Sequence, residues 1–323
     1  MKQYNFEQAK EEYREFCTKN TSIGIFLQPW YLDAACTDES DNWEVILIKN
    51  DKKIIAAFPF GYKKQKGLRY IYNPFQVCRL DIWIDYENRE SKYKKFSFYE
   101  EIVKKVVELL PPYDRFQIAF SHKMKNWMPF YQLGFTQTTR YSQVIYPEKQ
   151  EIIWNNLQKY RRKEIKNAIG TYTVKEINSS DVFYIFFEQY YKKKGEDVSF
   201  SRIQFEALYQ AAKKNNAVIV TGAYSENGTL VAELFTIYDK ERSYTLFVAF
   251  DSDSAGARAF LDWYGICKFV NQEITYDFEG SMISGVAEYN RRYNAEMEPY
   301  FVISKESRRY KILIKIKELL KLI

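Results

Sequence analysis

The sequence predicts an α+β protein in which one mixed-sheet module occurs twice. Three observations carry this. Paired β-rich runs alternate with amphipathic helical stretches in both halves of the 323 residues, the pattern expected when helices cover a sheet. Asp51–Phe58 can be laid on Asn227–Leu234 at a shift of 176 residues (227 − 51). The same shift puts the charged turn Lys63–Lys66 on Asp239–Arg242 and Leu68–Tyr72 on Tyr244–Val248, a repeat of architecture rather than of identity. Finally, Ser243–Gly280 reads as an apolar strand, a turn of small residues, a helix and a second short strand.

In order, Asn5–Lys19 has Phe6, Ala9, Tyr13 and Phe16 at helical spacing. Ile23–Leu27 is expected as a short strand, and Pro29 suits the first turn of a helix over Trp30–Cys36. Trp43–Lys49 and Lys53–Tyr62 flank Asn50-Asp51, a hairpin signal, and Leu68–Tyr72 is a third strand stopped by Asn73-Pro74. Tyr93–Leu110 is an amphipathic helix ended by Pro111-Pro112. Arg115–Phe120 is a strand, Lys125–Leu133 a short helix closed by Gly134, and Phe135–Tyr146 a long alternating strand. Pro147–Gln150 reads as the boundary between the halves, giving domains 1–147 and 148–303 and a tail 304–323. The second half opens with one basic helix, Ile152–Ile169, and a strand at Thr171–Ile177. Helices follow over Val182–Lys194, capped from Ser180-Asp181, and Arg202–Asn215, capped by Ser199 or Ser201. Ala217–Tyr224, Thr229–Asp239 and Ser243–Phe250 are strands.

Length suits about two domains, and 46% apolar with 18% aromatic residues supplies a large core. The net charge of +6 is mild. Four cysteines, at 17, 36, 78 and 267, show no metal-ligand spacing and are expected as reduced structural thiols. His122 is the single histidine, which excludes multi-histidine metal sites and leaves a histidine-based triad only that residue; no metal is expected. Met1–Phe16 lacks the apolar region of a signal peptide and no run reaches membrane-span length, so the expectation is a cytoplasmic protein, with contact to the inner face of a membrane left open.

In the strand–turn–helix unit, Ser252, Ser254, Ala255, Gly256, Ala257 and Arg258 form the turn and helix start. Free N–H groups and the helix dipole at such a place attract anions, so these six residues are the candidate cofactor cradle. Asp251 and Asp253 oppose a pyrophosphate there, and most such units bind nothing.

Tyr276-Asp-Phe-Glu-Gly-Ser281, Gly285-Val-Ala-Glu-Tyr-Asn-Arg-Arg-Tyr-Asn294 and Glu298–Ile303 together resemble the C-terminal signature of the Fem-type acyltransferases of the GNAT superfamily. Leu157–Ala168 is similar to the basic helix that opens the second domain there. Asn294 stands where the family has glycine, and Ser252–Arg258 is poorer in glycine and basic residues than the superfamily's phosphate loop. The resemblance covers essentially the whole chain. It implies two tandem GNAT-like domains, the first without a donor site because Asn73-Pro74-Phe75-Gln76 replaces the cradle. It implies transfer of an acyl or aminoacyl group to an amine of a cell-envelope or sugar-nucleotide precursor, from an acyl-CoA such as acetyl-CoA or from an aminoacyl-tRNA. The acceptor is a small-molecule or lipid-linked amine; transfer RNA is a further expected partner. The alternative is a non-catalytic scaffold on the same fold.

Acyl transfer to an amine needs a base, a stabilised oxyanion and a protonated leaving group. Glu233 interrupts the apolar strand Leu230–Ile237, where burial raises a carboxyl pKa towards that of a useful base; an edge position or an ion pair with Arg258 or Arg242 is the competing account. Glu279 and Asp277 flank Phe278 and share one face, the first as a catalytic and the second as a substrate-binding candidate, unless Asp277 caps the following turn. Tyr289 and Tyr293, four apart and near Arg291 and Arg292, are positioned to donate to a phosphate or leaving group, or pack as a stripe on the sheet. Tyr293 is taken as a catalytic candidate, Tyr289 and Arg292 as substrate-binding ones. Lys159, Arg161, Arg162, Lys163 and Lys166 go round their helix, as a solvated face or a phosphate site. In the tail, Ile312, Leu313, Ile316, Leu319, Leu320 and Ile323 share one face and Lys311, Lys315, Glu318 and Lys321 the other. Such a helix lies apolar face down on an anionic membrane or packs on the first domain.

Overall fold

The computed structural model describes residues 4–37, 41–280 and 282–321; Ser281 of the signature and Leu322 and Ile323 of the tail lie outside them. The elements, in order, are α1 Phe6–Lys19, α2 Pro29–Ala35, β1 Asp41–Asn50, β2 Lys53–Gln65, β3 Leu68–Tyr72, β4 Trp83–Ile84, α3 Lys92–Leu109, β5 Arg115–Ala119, α4 Met128–Gln132 and β6 Thr136–Ile145. The second run is α5 Gln150–Asn156, α6 Lys159–Ile169, β7 Thr173–Glu176, α7 Ser180–Lys193, α8 Arg202–Lys214, β8 Val218–Tyr224, β9 Leu230–Tyr238, β10 Arg242–Phe250, α9 Ala257–Val270, β11 Thr275–Asp277, α10 Ser284–Arg291, β12 Glu296–Glu306 and α11 Arg308–Lys321.

The chain divides into two compact units, residues 1–140 with 300–323, and residues 141–299. In the first, the strands run β1-β2-β3-β5-β12, with β4 beside β2. In the second they run β6-β11-β10-β9-β8-β7. Both are mixed sheets of the same plan: an antiparallel hairpin, a third strand, a helix, a parallel strand. Tyr70 faces Arg115 in the first parallel pair and Arg242 faces Thr275 in the second. The expected duplication is therefore present in topology. Its closing strands carry a feature that the repeat did not announce. Val302–Glu306 of β12 pairs with β5, and Val144 and Ile145 of β6 pair with β11, so each sheet ends on a strand from the other half of the sequence. The expected boundary at Pro147–Gln150 covers the loop before α5 and the first residue of that helix, whereas the units divide at Tyr141 and Tyr300.

Local chemistry accounts for most element ends. Asn5 and Ser91 cap α1 and α3, accepting from the N–H of Gln8 and Lys94. Ser201 and Gln204 make a reciprocal capping box on α8. Asp51, at φ 51°, turns the β1–β2 hairpin, and Asn294, at φ 56°, takes the left-handed conformation expected of it. Three expectations are corrected. Ile23–Leu27 is not a strand: Ile25–Leu27 forms a 3₁₀ turn, held by the Tyr13 hydroxyl on the Leu27 carbonyl at 2.8 Å. The cap of α7 is Ser179, not Ser180-Asp181. The basic helix is two helices, broken at Leu157-Gln158, because Leu157 drops into the core while the Gln158 N–H donates to the Arg292 carbonyl at 3.1 Å. Arg162 then donates to the Leu157 carbonyl at 2.7 Å and to that of Asn155, satisfying the end of α5.

The core of the first unit holds Trp43, Phe58, Phe60, Phe116, Phe120 and Phe130, all fully buried. In the second, α9, α10 and β11 bury Ile266, Phe269, Tyr276, Phe278 and Tyr293 on one face of the sheet. On the other, Phe183, Phe187 and Phe205 of α7 and α8 stack on Phe235 and Phe247.

Candidate active site

The second unit's sheet opens between β10 and β11. Their parallel ladder ends at Tyr244↔Asp277, while β10 runs on to Phe250. A bulge between Thr245 and Phe247 marks where β10 changes direction against β9. At the matching place in the first unit, the Asn73 amide bonds both backbone groups of Ala119, at 2.8 and 3.1 Å. Leu80 extends the pairing by bonding Ala119 and Ser121, both at 2.9 Å. The first opening is thus filled by its own chain.

The strand–turn–helix unit forms as expected, with Gly256 at φ 80° as the residue before α9. The left-handed turn suits glycine, and a Cβ there would sit 2.9 Å from the Glu164 carbonyl and 3.2 Å from the Ala168 side chain. So α6 presses on the turn. The N–H groups of Ser254 and Ala257 donate to the carbonyls of Asp251 and Ser254, at 3.1 and 3.2 Å. Ser252, Asp253 and Ala255 are exposed, while Gly256 and Ala257 are buried.

Arg258 points away from the turn. Its Cζ lies 3.9 Å from the Tyr289 ring centroid and its Nε 3.7 Å from Asp262. Asp262, buried on α9, accepts from the hydroxyls of Tyr289 at 2.7 Å and Tyr293 at 3.1 Å, with Tyr276 at 3.4 Å. Arg161 stands 4.1 and 4.4 Å from the rings of Tyr289 and Tyr293, is fully buried and pairs with Glu164 at 2.7 Å. Burial, reinforced by the Asp262 charge, pushes all three tyrosines up from their ordinary range, so they are hydrogen-bond donors at neutral pH. Tyr293 also borders a pocket of about 260 Å³ with Tyr146, Ile153, Asn156 and Asn294. Of the expected residues, then, Arg258, Tyr289 and Tyr293 come together with Arg161 of the basic helix, which is buried rather than on a solvated face, around an aspartate that the sequence did not single out. Asp262 stands inside an apolar helix four residues after Arg258, which is the one signal of its role.

Asp277 belongs to a second buried cluster. It accepts from Arg242 at 2.9 Å, from the Ser142 hydroxyl and from the Glu279 N–H at 2.8 Å. Arg242 also pairs with Glu298 at 2.8 Å; burial disfavours this cation, and the two carboxylates outweigh that and hold its pKa up. Glu279 does not share a face with Asp277, because the strand ends at Asp277 and Glu279 takes φ 54°. Arg292 is half-buried, pairs with Glu288 at 3.7 Å and lies over Tyr160 at 5.6 Å.

Glu233 stands apart. It lies on β9, between Gly222 of β8 and Ala249 of β10, so it is not at an edge. It is fully buried on the face that carries Phe235 and Phe247, and neither carboxyl oxygen has a hydrogen-bond partner. Arg258 and Arg242 are paired elsewhere. Burial pushes the Glu233 carboxyl well above the usual carboxylate range.

Among the described residues, no group of His, Cys, Asp and Glu could hold a metal. No protein-family model matches the chain, and no curated protein matches it in sequence. Solved structures do. FemX matches at TM-score 0.65 with 12% identity over 90% of this chain and 95% of FemX. The C-terminal domain of a putative lysylphosphatidylglycerol synthetase from Agrobacterium fabrum matches at 0.52 with 9% identity, covering 96% of this chain and 97% of that one. A tandem GNAT protein from the clavulanic acid biosynthesis pathway matches at 0.50 with 8% identity over 94% and 96%. The fold of this chain is therefore the tandem GNAT fold, of the Fem-like kind.

Proposed function

We propose that this protein transfers an acyl or aminoacyl group to an amine, with the donor carbonyl lying in the opening between β10 and β11. The observation that supports this most is the contrast between the two openings: in the second the β10–β11 ladder ends at Tyr244↔Asp277 while β10 runs on to Phe250, and the first is closed by Asn73 and Leu80. Where two strands part, backbone N–H and C=O groups line the opening and can meet an extended substrate, and N–H groups there can hold an oxyanion. The first unit accordingly acts as support without a donor site.

Glu233 is the acid–base group of this reading. It is one strand from the opening, and its raised pKa suits proton exchange with an attacking amine. The hydroxyls of Tyr289 and Tyr293 are engaged by Asp262 and serve to position Arg258; Tyr293 reaches a leaving group only if Asp262 releases it. Between the donors, an aminoacyl ester on a transfer RNA fits better than an acyl-CoA. The turn spends two N–H groups on itself, carries Asp251 and Asp253, and turns Arg258 inward, so it offers little to a diphosphate. The acceptor is an amine of a cell-envelope or sugar-nucleotide precursor, soluble or lipid-linked.

The test is a thermal-shift series with acetyl-CoA, a longer acyl-CoA, a non-hydrolysable aminoacyl-tRNA analogue and amine-bearing nucleotide sugars, followed by transfer of a labelled amino acid. A ligand at a hundred times its Kd stabilises by about 2.7 kcal/mol. Stabilisation by the aminoacyl analogue with label transfer is expected. Stabilisation by acyl-CoA alone overturns the choice of donor. No stabilisation and no transfer favours the scaffold reading, to which the buried, fully engaged tyrosines already lend weight.

A further inference from the structure

The helix α11 presents the wrong face to its own unit for an ordinary packed helix. At 3.6 residues per turn, Tyr310 and Ile314 lie on one side and Ile312, Leu313, Ile316, Leu319 and Leu320 on the far side. The narrow side docks: Tyr310 is buried, its ring sits 6.2 Å from that of Tyr70, and its hydroxyl accepts from Arg115 at 2.8 Å. The wide side does not. Ile312 is 58% exposed, Leu313 41%, Ile316 47%, Leu319 62% and Leu320 68%. Five large apolar side chains on one open stripe mark a binding surface.

The charges around the stripe identify what it binds. Lys315 and Lys317 flank it on its two sides, and Arg308, Arg309 and Lys311 stand near its start, all exposed. Glu318 is the single acidic residue of the helix. A second element adds to this surface. The Arg309 guanidinium reaches the β2–β3 turn, within 3.7 Å of where a Gly67 side chain would begin, and Lys64 at the end of β2 and Lys66 of the turn are exposed. A stripe of branched aliphatics bordered by lysines on both sides lets the stems lie in an acyl layer while the ammonium groups reach phosphate. Nucleic acid has no use for the aliphatic stripe, and a second copy would bring like charges together.

We infer that α11 and the β2–β3 turn form one face that docks on the surface of an anionic phospholipid bilayer. No described helix is long and apolar enough to cross a membrane, so the attachment is parallel to the surface and reversible. The inference does not depend on the transfer reaction: it concerns the first unit and is read without any substrate.

The test is co-sedimentation of the full chain with vesicles of phosphatidylglycerol and phosphatidylcholine, against vesicles of phosphatidylcholine alone. Binding to the first and not the second is expected. Each basic residue at an anionic surface contributes about 1 kcal/mol, so Lys315→Gln with Lys317→Gln weakens partitioning about 30-fold, and Lys64→Gln with Lys66→Gln does so to a similar degree. Leu313→Glu with Leu320→Glu abolishes it. All these variants leave Tyr310 in place and are expected to keep the parent's melting temperature; a variant that melts early is replaced by Ile316→Glu alone. Equal binding to both vesicle types, no binding to either, or binding unchanged in the aliphatic variants overturns the inference. So does a dimer in sedimentation velocity that Ile316→Glu dissociates, which would assign the stripe to a second copy.

Discussion

Glu233 gives a sharp quantitative test, because its folded and unfolded states bind protons differently. In the unfolded chain it titrates near 4.3. In the fold, burial with no partner on either oxygen keeps the proton on well above that range. The folded pKa lies above the unfolded one, so the favourable contribution is complete at acid pH and is lost as pH rises towards the folded pKa. In that window stability falls by about 1.4 kcal/mol per pH unit from this residue. That slope sets the ceiling, about 2.7 kcal/mol over any two pH units. Glu233→Gln keeps the shape and leaves similar polar atoms in the same site, but carries no titrating proton. The other carboxylates are common to both proteins and cancel in the difference. The assay is urea unfolding of both proteins at several pH values, with the slope against urea unchanged. The glutamine variant should gain on the parent as pH rises from 5 to 7, by no more than that ceiling, while losing acyl transfer. A difference that stays flat over this range would mean that Glu233 titrates in its ordinary range in the fold, and the argument from its raised pKa would go with it.

Other expectations follow from the same structure. Asp262→Ala removes the acceptor for two tyrosine hydroxyls and leaves Arg258 without its carboxylate; a loss of roughly 3 kcal/mol in urea unfolding is expected, and a loss under 1 kcal/mol would show the cluster to be loosely solvated. Gly256→Ala forces an L-residue to φ 80° and a Cβ to 2.9 Å from the Glu164 carbonyl, which should destabilise by about 2 kcal/mol or more; an unchanged melting temperature would show that α6 yields freely. Burial raises the thiols of Cys17 and Cys36 to about 12 and that of Cys267 to about 11. These three stay protonated at pH 8, so a thiol reagent such as Ellman's should modify them slowly in the native protein and fast in urea. Prompt native labelling of Cys267 would contradict its burial.

Much of the fold was legible in the chain because it is written locally. The spacing of Phe6, Ala9, Tyr13 and Phe16, the Asn50-Asp51 turn, the Ser201–Gln204 box and the 176-residue repeat each report on a few neighbouring residues. The errors came where a distant group decided. Leu27 fits a strand by its neighbours, but the Tyr13 hydroxyl holds its carbonyl in a turn. Leu157 fits the interior of one helix by periodicity, but Arg162 and Arg292 complete the two ends of a break there.

For the candidate site, sequence by itself determined which side chains were unusual for their setting: a glutamate in an apolar strand, two tyrosines four apart, a small-residue turn before a helix. Only tertiary structure decided who faces whom. It left Glu233 without a partner, gave Arg258 and both tyrosines to Asp262, tied Asp277 to Arg242, and set α6 against Gly256. It also exchanged the closing strands β6 and β12 between the halves. The physical reason is that periodicity and propensity act within a turn or a strand, whereas burial, ion pairing and register are properties of groups that sequence separates by tens to hundreds of residues.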